Sequence, residues 1–324
     1  MGLIRIVESA YDLSGGVDAW LERLGRAAQP VLDRGFGLIA LCCRFDRDAP
    51  GGFDVEHAVP LDVPEPFLEL FLALHTSSLP EQMRAIHGIR TGVFGLADTF
   101  GGKPPHLFEE LGRPLGARDS LTVCGANPTG TQFALSLASP KVEVLDPRVR
   151  RVWTRVGAHI AAGGRLMKAL APGGDANRVA VEAIVEPGGR VVHAEGPAQS
   201  QDAREAFRRA ARAIDRARGP LRDDDDALEL WNALVAGRWS LLDRFESDGR
   251  RYLVARRNDD DVRDPRGLTA RERQIAARAA LGHSNKLIAY ELGVSPSTVA
   301  TFLTRALKKL GCATRAQLRS ALPV

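Results

Sequence analysis

The stretch SNKLIAYELGVSPSTVATFLTRALKKLG, Ser284 to Gly311, holds two short helical patterns parted by one break, Gly293-Val294-Ser295-Pro296. Ser284 or Asn285 opens the first helix. Gly293 ends it, because glycine takes the left-handed backbone that closes a helix at little cost. Ser295 is the N-cap of the next, with Pro296 at the first helical position, where a missing N–H leaves nothing unsatisfied. Gly311 ends that helix. Val299, Leu303, Ala306, Leu307 and Leu310 recur at helical spacing and predict its buried stripe. The opposite face carries Ser297, Ala300, Thr301, Thr304, Arg305 and Lys308. Two helices joined by so short a turn predict a helix-turn-helix. No large apolar group on the outer face would obstruct entry into a major groove, whose width suits one α-helix.

The caps extend this reading in both directions. Thr269 with Glu272 three residues on forms a capping box for an earlier helix, which Gly282 ends. Thr314 with Gln317 forms another, opening a fourth helix. Residues 268–324 therefore predict a small all-α, tetrahelical unit. The charge is concentrated there. From Arg266 to Val324 there are ten Lys/Arg and two acids, Glu272 and Glu291, a charge of +8. Subtracting these from totals of 44 and 40 leaves 34 basic and 38 acidic residues before that point, a charge of −4. A basic module on a mildly acidic body points to a nucleic-acid partner, and the helix-turn-helix makes that partner double-stranded DNA. The hydroxyls of Ser297 and Thr298, with the free N–H groups of the helix N-terminus, suit a phosphate. Lys286, Arg305, Lys308 and Lys309 supply charge neutralisation.

Along its whole length, LTARERQIAARAALGHSNKLIAYELGVSPSTVATFLTRALKKLGCATRAQL resembles the LuxR-type (NarL/FixJ-like) DNA-binding domain. The pattern is carried by Leu268-Thr269, Arg271-Glu272, Gly282-x-Ser284-Asn285-Lys286-x-Ile288-Ala289, Leu292-Gly293, Ser295, Thr298-Val299, Lys309-Leu310-Gly311 and Arg315-Ala316. The resemblance implies a transcription regulator whose third helix reads DNA and whose fourth supports a homodimer. Ala300 stands where a Lys is common in that family, and Phe302 where a His is frequent. The first departure removes a cation from the reading face, so no operator sequence carries over.

Upstream, residues 1–147 alternate helical and extended patterns. GGVDAWLERLGRAAQPVL places Val17, Trp20, Leu21, Leu24 and Ala28 on one helical stripe, and GFGLIALCCRFD reads as a buried strand. PEPFLELFLALHTS is helical, and DSLTVCGANPTGTQFALSLASP predicts two strands around the turn Asn127-Pro128-Thr129-Gly130. The order resembles GAF-like sensory domains. A helix follows over 148–171, with Asp146 as cap, Pro147 at its start and a stripe of Val149, Val152, Val156, Ile160 and Leu166. Gly163-Gly164 is expected to weaken its far end. That helix either pairs with a copy of itself or closes the domain. Residues 176–258 predict a hairpin around Glu186 to Arg190, a helix with Ala206, Phe207, Ala210, Ala213 and Ile214 inward, and a closing hairpin around Ser247 to Arg250. This resembles a short, incomplete PAS-like domain. Asp223 to Asp226 read as a solvated acidic run, and residues 259–267 as a linker.

The fold class expected is multidomain, an α+β (GAF/PAS-like) sensory region followed by the tetrahelical helix-turn-helix domain. Hydrophobic content of 44% and charged content of 26% allow a sizeable core. No catalytic residue, metal ligand or cofactor is expected: seven scattered histidines lack metal-like spacing, and Gly101 to Pro105 lacks the phosphate-loop pattern. Cys42, Cys43, Cys124 and Cys312 form no disulfide framework, and MGLIRIVESA is neither a secretory signal nor a myristoylation site, so a cytoplasmic protein without a membrane partner is expected. The function expected is a sequence-specific regulator controlled by an unidentified small-molecule or protein signal. The alternative is an enzyme or protein-binding scaffold in residues 1–258 tethered to DNA.

Overall fold

The computed structural model describes residues 2–44, 54–77, 91–127, 130–174, 176–219, 221–222, 227–245, 249–258, 268–310 and 312–322. The expected linker 259–267, the acidic run Asp223 to Asp226, the turn residues Pro128-Thr129 and Ser247, and Gly311 lie outside them. The chain opens with helices α1 (Leu3–Tyr11) and α2 (Val17–Leu32). Strands β1 (Leu38–Arg44) and β2 (Asp54–Leu61), helix α3 (Glu65–Ser77), strand β3 (Gly92–Gly95) and short helices α4 (Leu96–Thr99) and α5 (His106–Gly112) follow. Next come β4 (Asp119–Ala126), β5 (Thr131–Ser139) and the long α6 (Pro147–Leu170). A second group holds β6 (Val181–Val185), β7 (Val191–Ala194), α7 (Gln201–Arg218), α8 (Ala227–Leu230), β8 (Trp239–Phe245) and β9 (Arg251–Arg257). Helices α9 (Ala270–Ala280), α10 (Asn285–Leu292), α11 (Pro296–Lys309) and α12 (Leu318–Ala321) close the order.

The first group forms an antiparallel five-stranded sheet, β2-β1-β5-β4-β3, and the second an antiparallel four-stranded sheet, β7-β6-β9-β8. The molecule is an α+β region with two sheets, followed by the small helical domain. Alternation along β1 explains its unbroken apolar run. Leu38, Ala40 and Cys42 face the core shared with α1, α2 and α6, while Ile39, Leu41 and Cys43 face α3. A strand covered on both faces loses its polar alternation. The expectation omits helix α1, although Ile4, Val7, Ala10 and Tyr11 recur at helical spacing and are buried; α4, α5 and strands β2 and β3 carry weaker patterns. Strand β2 is half-exposed along most of its length, and β3 has four residues, too few for a period.

Helix α6 starts as expected, with the Asp146 side chain accepting from the Arg148 and Val149 amides. Val156, Ile160 and Leu166 of the expected stripe are buried, but Val149 is exposed, Val152 is half-buried, and Trp153 joins the buried face. The glycines explain why. A Cβ on Gly163 would stand 1.9 Å from the Ala10 carbonyl, one on Gly164 2.2 Å from the Phe133 ring, and one on Gly157 2.4 Å from the Cys124 carbonyl. They let α6 lie backbone to backbone on α1 and β4, so the expected weak end is a packing surface. With β3, β4 and α1 of its own chain on this face, α6 closes a core, and its apolar stripe is not free to pair with a copy.

Helix α7 lies on the second sheet, with the Phe207 ring edge-on to Trp239 at 4.8 Å. Its buried line is Ala203, Phe207, Ala211, Ile214 and Ala217. The expected Ala206, Ala210 and Ala213 are only half-buried at its flanks. Alanine is nearly neutral as a burial signal, so an alanine-rich helix leaves its inward angle loosely specified.

Candidate nucleic-acid interface

Side-chain N-caps and helix-closing glycines shape the C-terminal module. Thr269 and Glu272 form the capping box of α9. Ser284 Oγ accepts from the Leu287 amide, and Ser295 Oγ from the Thr298 amide. Gly293, at φ 63°, supplies the left-handed residue between α10 and α11. Gly282, at φ 86°, follows α9 in the same way. Thr314 and Gln317 form the last capping box; a 3-10 turn and the four-residue α12 follow it. The core beneath holds Ile275, Ala279, Ile288, Leu292, Val299, Leu303, Ala306 and Leu318. Leu307 and Leu310 pack on its edge, completing the expected stripe of α11.

Inside this core sits a buried ion cluster that the sequence does not announce. Glu291 lies 3.1 Å from Arg278 and 3.0 Å from His283 Nδ1, with all three side chains under a tenth exposed. Burial pushes the Glu291 carboxyl up, but His283 and Arg278 outweigh it and hold it below the usual range. The cluster ties α9 to α10 and thereby sets the helix on which α11 is hung.

The outer face of α11 is open. Ser297, Ala300, Thr301, Thr304, Arg305 and Lys308 are exposed, and Thr298 is half-buried. Lys286, on α10, is exposed as well. Ser295 Oγ gathers the hydroxyls of Ser297 and Thr298 at 2.7 and 2.8 Å. Thr301 and Thr304 donate to the carbonyls of Ser297 and Ala300, each at 3.0 Å, which leaves their oxygens facing outward as acceptors. The Arg305 guanidinium lies 5.5 Å above the Phe302 ring, so that aromatic side chain shelves the cation along the helix. One expected contact is engaged elsewhere: Lys309 Nζ sits 2.6 Å from Glu272 Oε2. It pins the end of α11 to the start of α9. The structure thus brings Ser297, Thr298, Ala300, Thr301, Thr304, Arg305 and Lys308 onto one surface, with Lys309 exposed at the end of α11 and paired with Glu272.

The module is docked on the body through its opposite side. The Leu234 amide donates to the Glu291 carbonyl at 3.0 Å, and Gln274 Nε2 to the Gly237 carbonyl at 2.7 Å. Arg271 donates to the carbonyl of Ala236, itself held at φ 49°. A Cβ on Gly293 would stand 2.4 Å from the Leu234 carbonyl, so this glycine serves both the turn and the dock. Side chains are exchanged: Leu234 of the body lies in the module's core, and Tyr290 of α10 packs on the body's. The Tyr290 hydroxyl meets the carbonyls of Leu228 and Trp231 at 2.6 and 2.9 Å and His159 Nε2 at 3.0 Å. His159 Nδ1 meets the Tyr11 hydroxyl at 2.9 Å. A buried Tyr11–His159–Tyr290 chain therefore joins α1, α6 and α10. Burial lowers the His159 pKa to about 3 and raises both phenols.

Residues 266–321 match the family of bacterial regulatory proteins described as the luxR family. The C-terminal module is a LuxR-family domain. The match covers less than a fifth of the chain's 324 residues. Two solved structures of SdiA, one from Escherichia coli and one in complex with octanoyl-rac-glycerol, are also similar. Each covers 98% of this chain and is 13% identical to it; 92% and 91% of their own chains are covered, with TM-scores of 0.33 and 0.29. At those scores the likeness does not bear on function. No curated protein matches the chain. Among the described residues no helix is long and apolar enough to cross a membrane, and no cluster of three or more His, Cys, Asp or Glu could hold a metal. The LuxR-family domain makes the chain a DNA-binding transcription regulator.

Proposed function

We propose that the protein is a cytoplasmic, sequence-specific regulator that inserts α11 into the major groove of double-stranded DNA as a homodimer. One observation supports the reading: Ser297, Ala300, Thr301, Thr304 and Arg305 are exposed on α11 while the dock runs through α9, α10 and Gly293, so the module can meet DNA without leaving the body. Arg305, Lys308 and Lys286 neutralise phosphates, and Ser297 and Thr298 hold one at the helix N-terminus. Thr301 and Thr304 reach base edges.

The signal enters through residues 1–258. A cavity of about 50 Å3 between the first sheet and α3 supports this, lined by Phe36, Phe67, Leu70, Phe108 and the hydroxyl-bearing Ser120 and Ser136. It suits a largely apolar effector that can accept or donate one hydrogen bond. Native mass spectrometry of the purified full chain should show a copurified small molecule, and Ser136→Phe should remove it. Retention by that variant would rule the cavity out.

Fluorescence anisotropy with duplex DNA at several salt concentrations tests the output. Affinity should fall linearly on a log–log plot, with a slope of about −0.9 per neutralised phosphate. Ala300→Lys, which adds a cation to the reading face, should tighten binding and steepen the slope by about one such unit. No binding at low salt would overturn the reading.

A further inference from the structure

The middle of the α11 face is built from small groups. Ala300, Thr301 and Thr304 are exposed, and none of them carries a charge or a side-chain amide. A threonine hydroxyl has one proton, and here it is already committed. Thr301 Oγ1 donates to the Ser297 carbonyl and Thr304 Oγ1 to the Ala300 carbonyl, both at 3.0 Å. Each oxygen keeps only its capacity to accept. Three methyl groups complete the face: the β-carbon of Ala300 and the γ-carbons of Thr301 and Thr304. To donate to a base, either threonine would first have to break its bond to the helix.

We propose that this face selects A·T pairs, its hydroxyl oxygens accepting from adenine N6 and its methyl groups lying on the methyl of thymine. The inference rests on the reading of α11 as the helix that enters the major groove. In that groove only adenine N6 and cytosine N4 present donors, and only thymine presents a methyl. An A·T pair therefore meets both kinds of group at once. A G·C pair offers one donor and no methyl. Guanine itself turns two acceptors, N7 and O6, toward oxygens that have no proton left to give.

The side chains that read guanine, Arg and Lys, stand to the side of this face. Arg305 lies about 100° around the helix from Thr304, and its guanidinium is held 5.5 Å above the Phe302 ring. Lys308 lies about one turn beyond Thr304, toward the end of α11. At the other end the Ser297 hydroxyl is bonded to Ser295 Oγ at 2.7 Å. From Ala300 to Thr304 the helix rises about 6 Å, close to two base-pair steps of about 3.4 Å. One α11 therefore covers two adjacent A·T pairs.

Selection from a random duplex library with the full chain should return half-sites that hold two adjacent A·T pairs. Competition anisotropy on the selected duplex then tests which groups are read. Inosine·cytosine at those pairs presents the major-groove edges of G·C while its minor groove, like that of A·T, lacks the guanine amine. It should bind at least about fivefold more weakly, the effect of a mismatched pair. Uracil in place of thymine removes only the methyl and should weaken binding at least about twofold. A chain carrying Thr301→Ser and Thr304→Ser keeps both hydroxyls and lacks both methyls, so its preference for thymine over uracil should shrink. G·C pairs at the centre of the selected half-sites, equal binding of the inosine or the uracil duplex, or an undiminished thymine preference in the double variant would overturn this inference alone. No duplex bound even at low salt would overturn the reading of the module as a DNA-binding output, and this inference with it.

Discussion

At the scale of single residues, α11 separates two kinds of position that alternate within one turn. Leu303 is buried in the module's core, and Thr304 beside it is exposed on the reading face. On the proposed function, a carboxylate at Thr304 meets phosphates and base edges and nothing of the core. Thr304→Glu should therefore abolish specific DNA binding in an anisotropy titration, with the circular dichroism spectrum unchanged. Leu303→Ala should cost about 2–5 kcal/mol, as large-to-small core changes do, and unfold the module before it alters any contact with DNA. If Thr304→Glu binds normally, α11 does not face the groove as placed. This much is legible in the sequence, because caps and helical period set the face of a short helix locally. What the sequence does not reveal is the engagement of Lys309 with Glu272, residues brought together only when α9 and α11 pack.

At the scale of elements, helix propensity and packing give opposite answers for α6. Gly→Ala in a helix interior gains about 1 kcal/mol by propensity. Gly163→Ala should nevertheless destabilise the full chain, since its Cβ would fall 1.9 Å from the Ala10 carbonyl and overpacking costs about 1–3 kcal/mol. A urea midpoint at or above wild type would refute the close contact. His159 on the same helix gives a pH signature. Its folded pKa is lowered from 6.5 to about 3, chiefly by burial, with the Trp231 carbonyl opposing. Below pH 6.5 the unfolded chain takes up a proton that the folded chain refuses, so stability falls as pH drops from 6.5 toward 3, by about 1.4 kcal/mol per unit. Between pH 7 and pH 5 that is a loss of about 2 kcal/mol. Urea unfolding at several pH values should show a steeper loss for wild type than for His159→Gln, whatever the variant's absolute stability. Parallel curves would mean that His159 is not buried neutral.

At the scale of the whole molecule, the dock is the feature that joins the LuxR-family domain to the α+β body. Tyr290→Phe removes the hydroxyl that meets Leu228, Trp231 and His159 and leaves polar partners unmet in a buried site. Such a loss costs about 1–3 kcal/mol. Because Tyr290 packs on the body's core and not the module's, that cost falls on the dock. Hydrogen exchange at the Leu234 amide, bonded to the Glu291 carbonyl, should accelerate about tenfold or more, since 1.4 kcal/mol is a factor of ten. Amides within α11 should exchange as in wild type. Equal acceleration in α11 would show that Tyr290 supports the module itself.

The boundary between sequence and tertiary structure follows from the range of the forces. Caps, periodicity and charge act within a few residues, so the helix-turn-helix, its reading face and its basic excess stand in the amino-acid order alone. Hairpins such as β8–β9 are legible for the same reason, since their pairing partners are neighbours in the chain. The inward angle of α7, the backbone contact of α6, the Arg278–Glu291–His283 cluster and the Tyr11–His159–Tyr290 chain join residues from 8 to about 150 positions apart. Their partners are chosen by packing, which no local pattern encodes. That is why the exposed polar face of α11 is read from the sequence, while the dock emerges only once the sheets and helices have closed on one another.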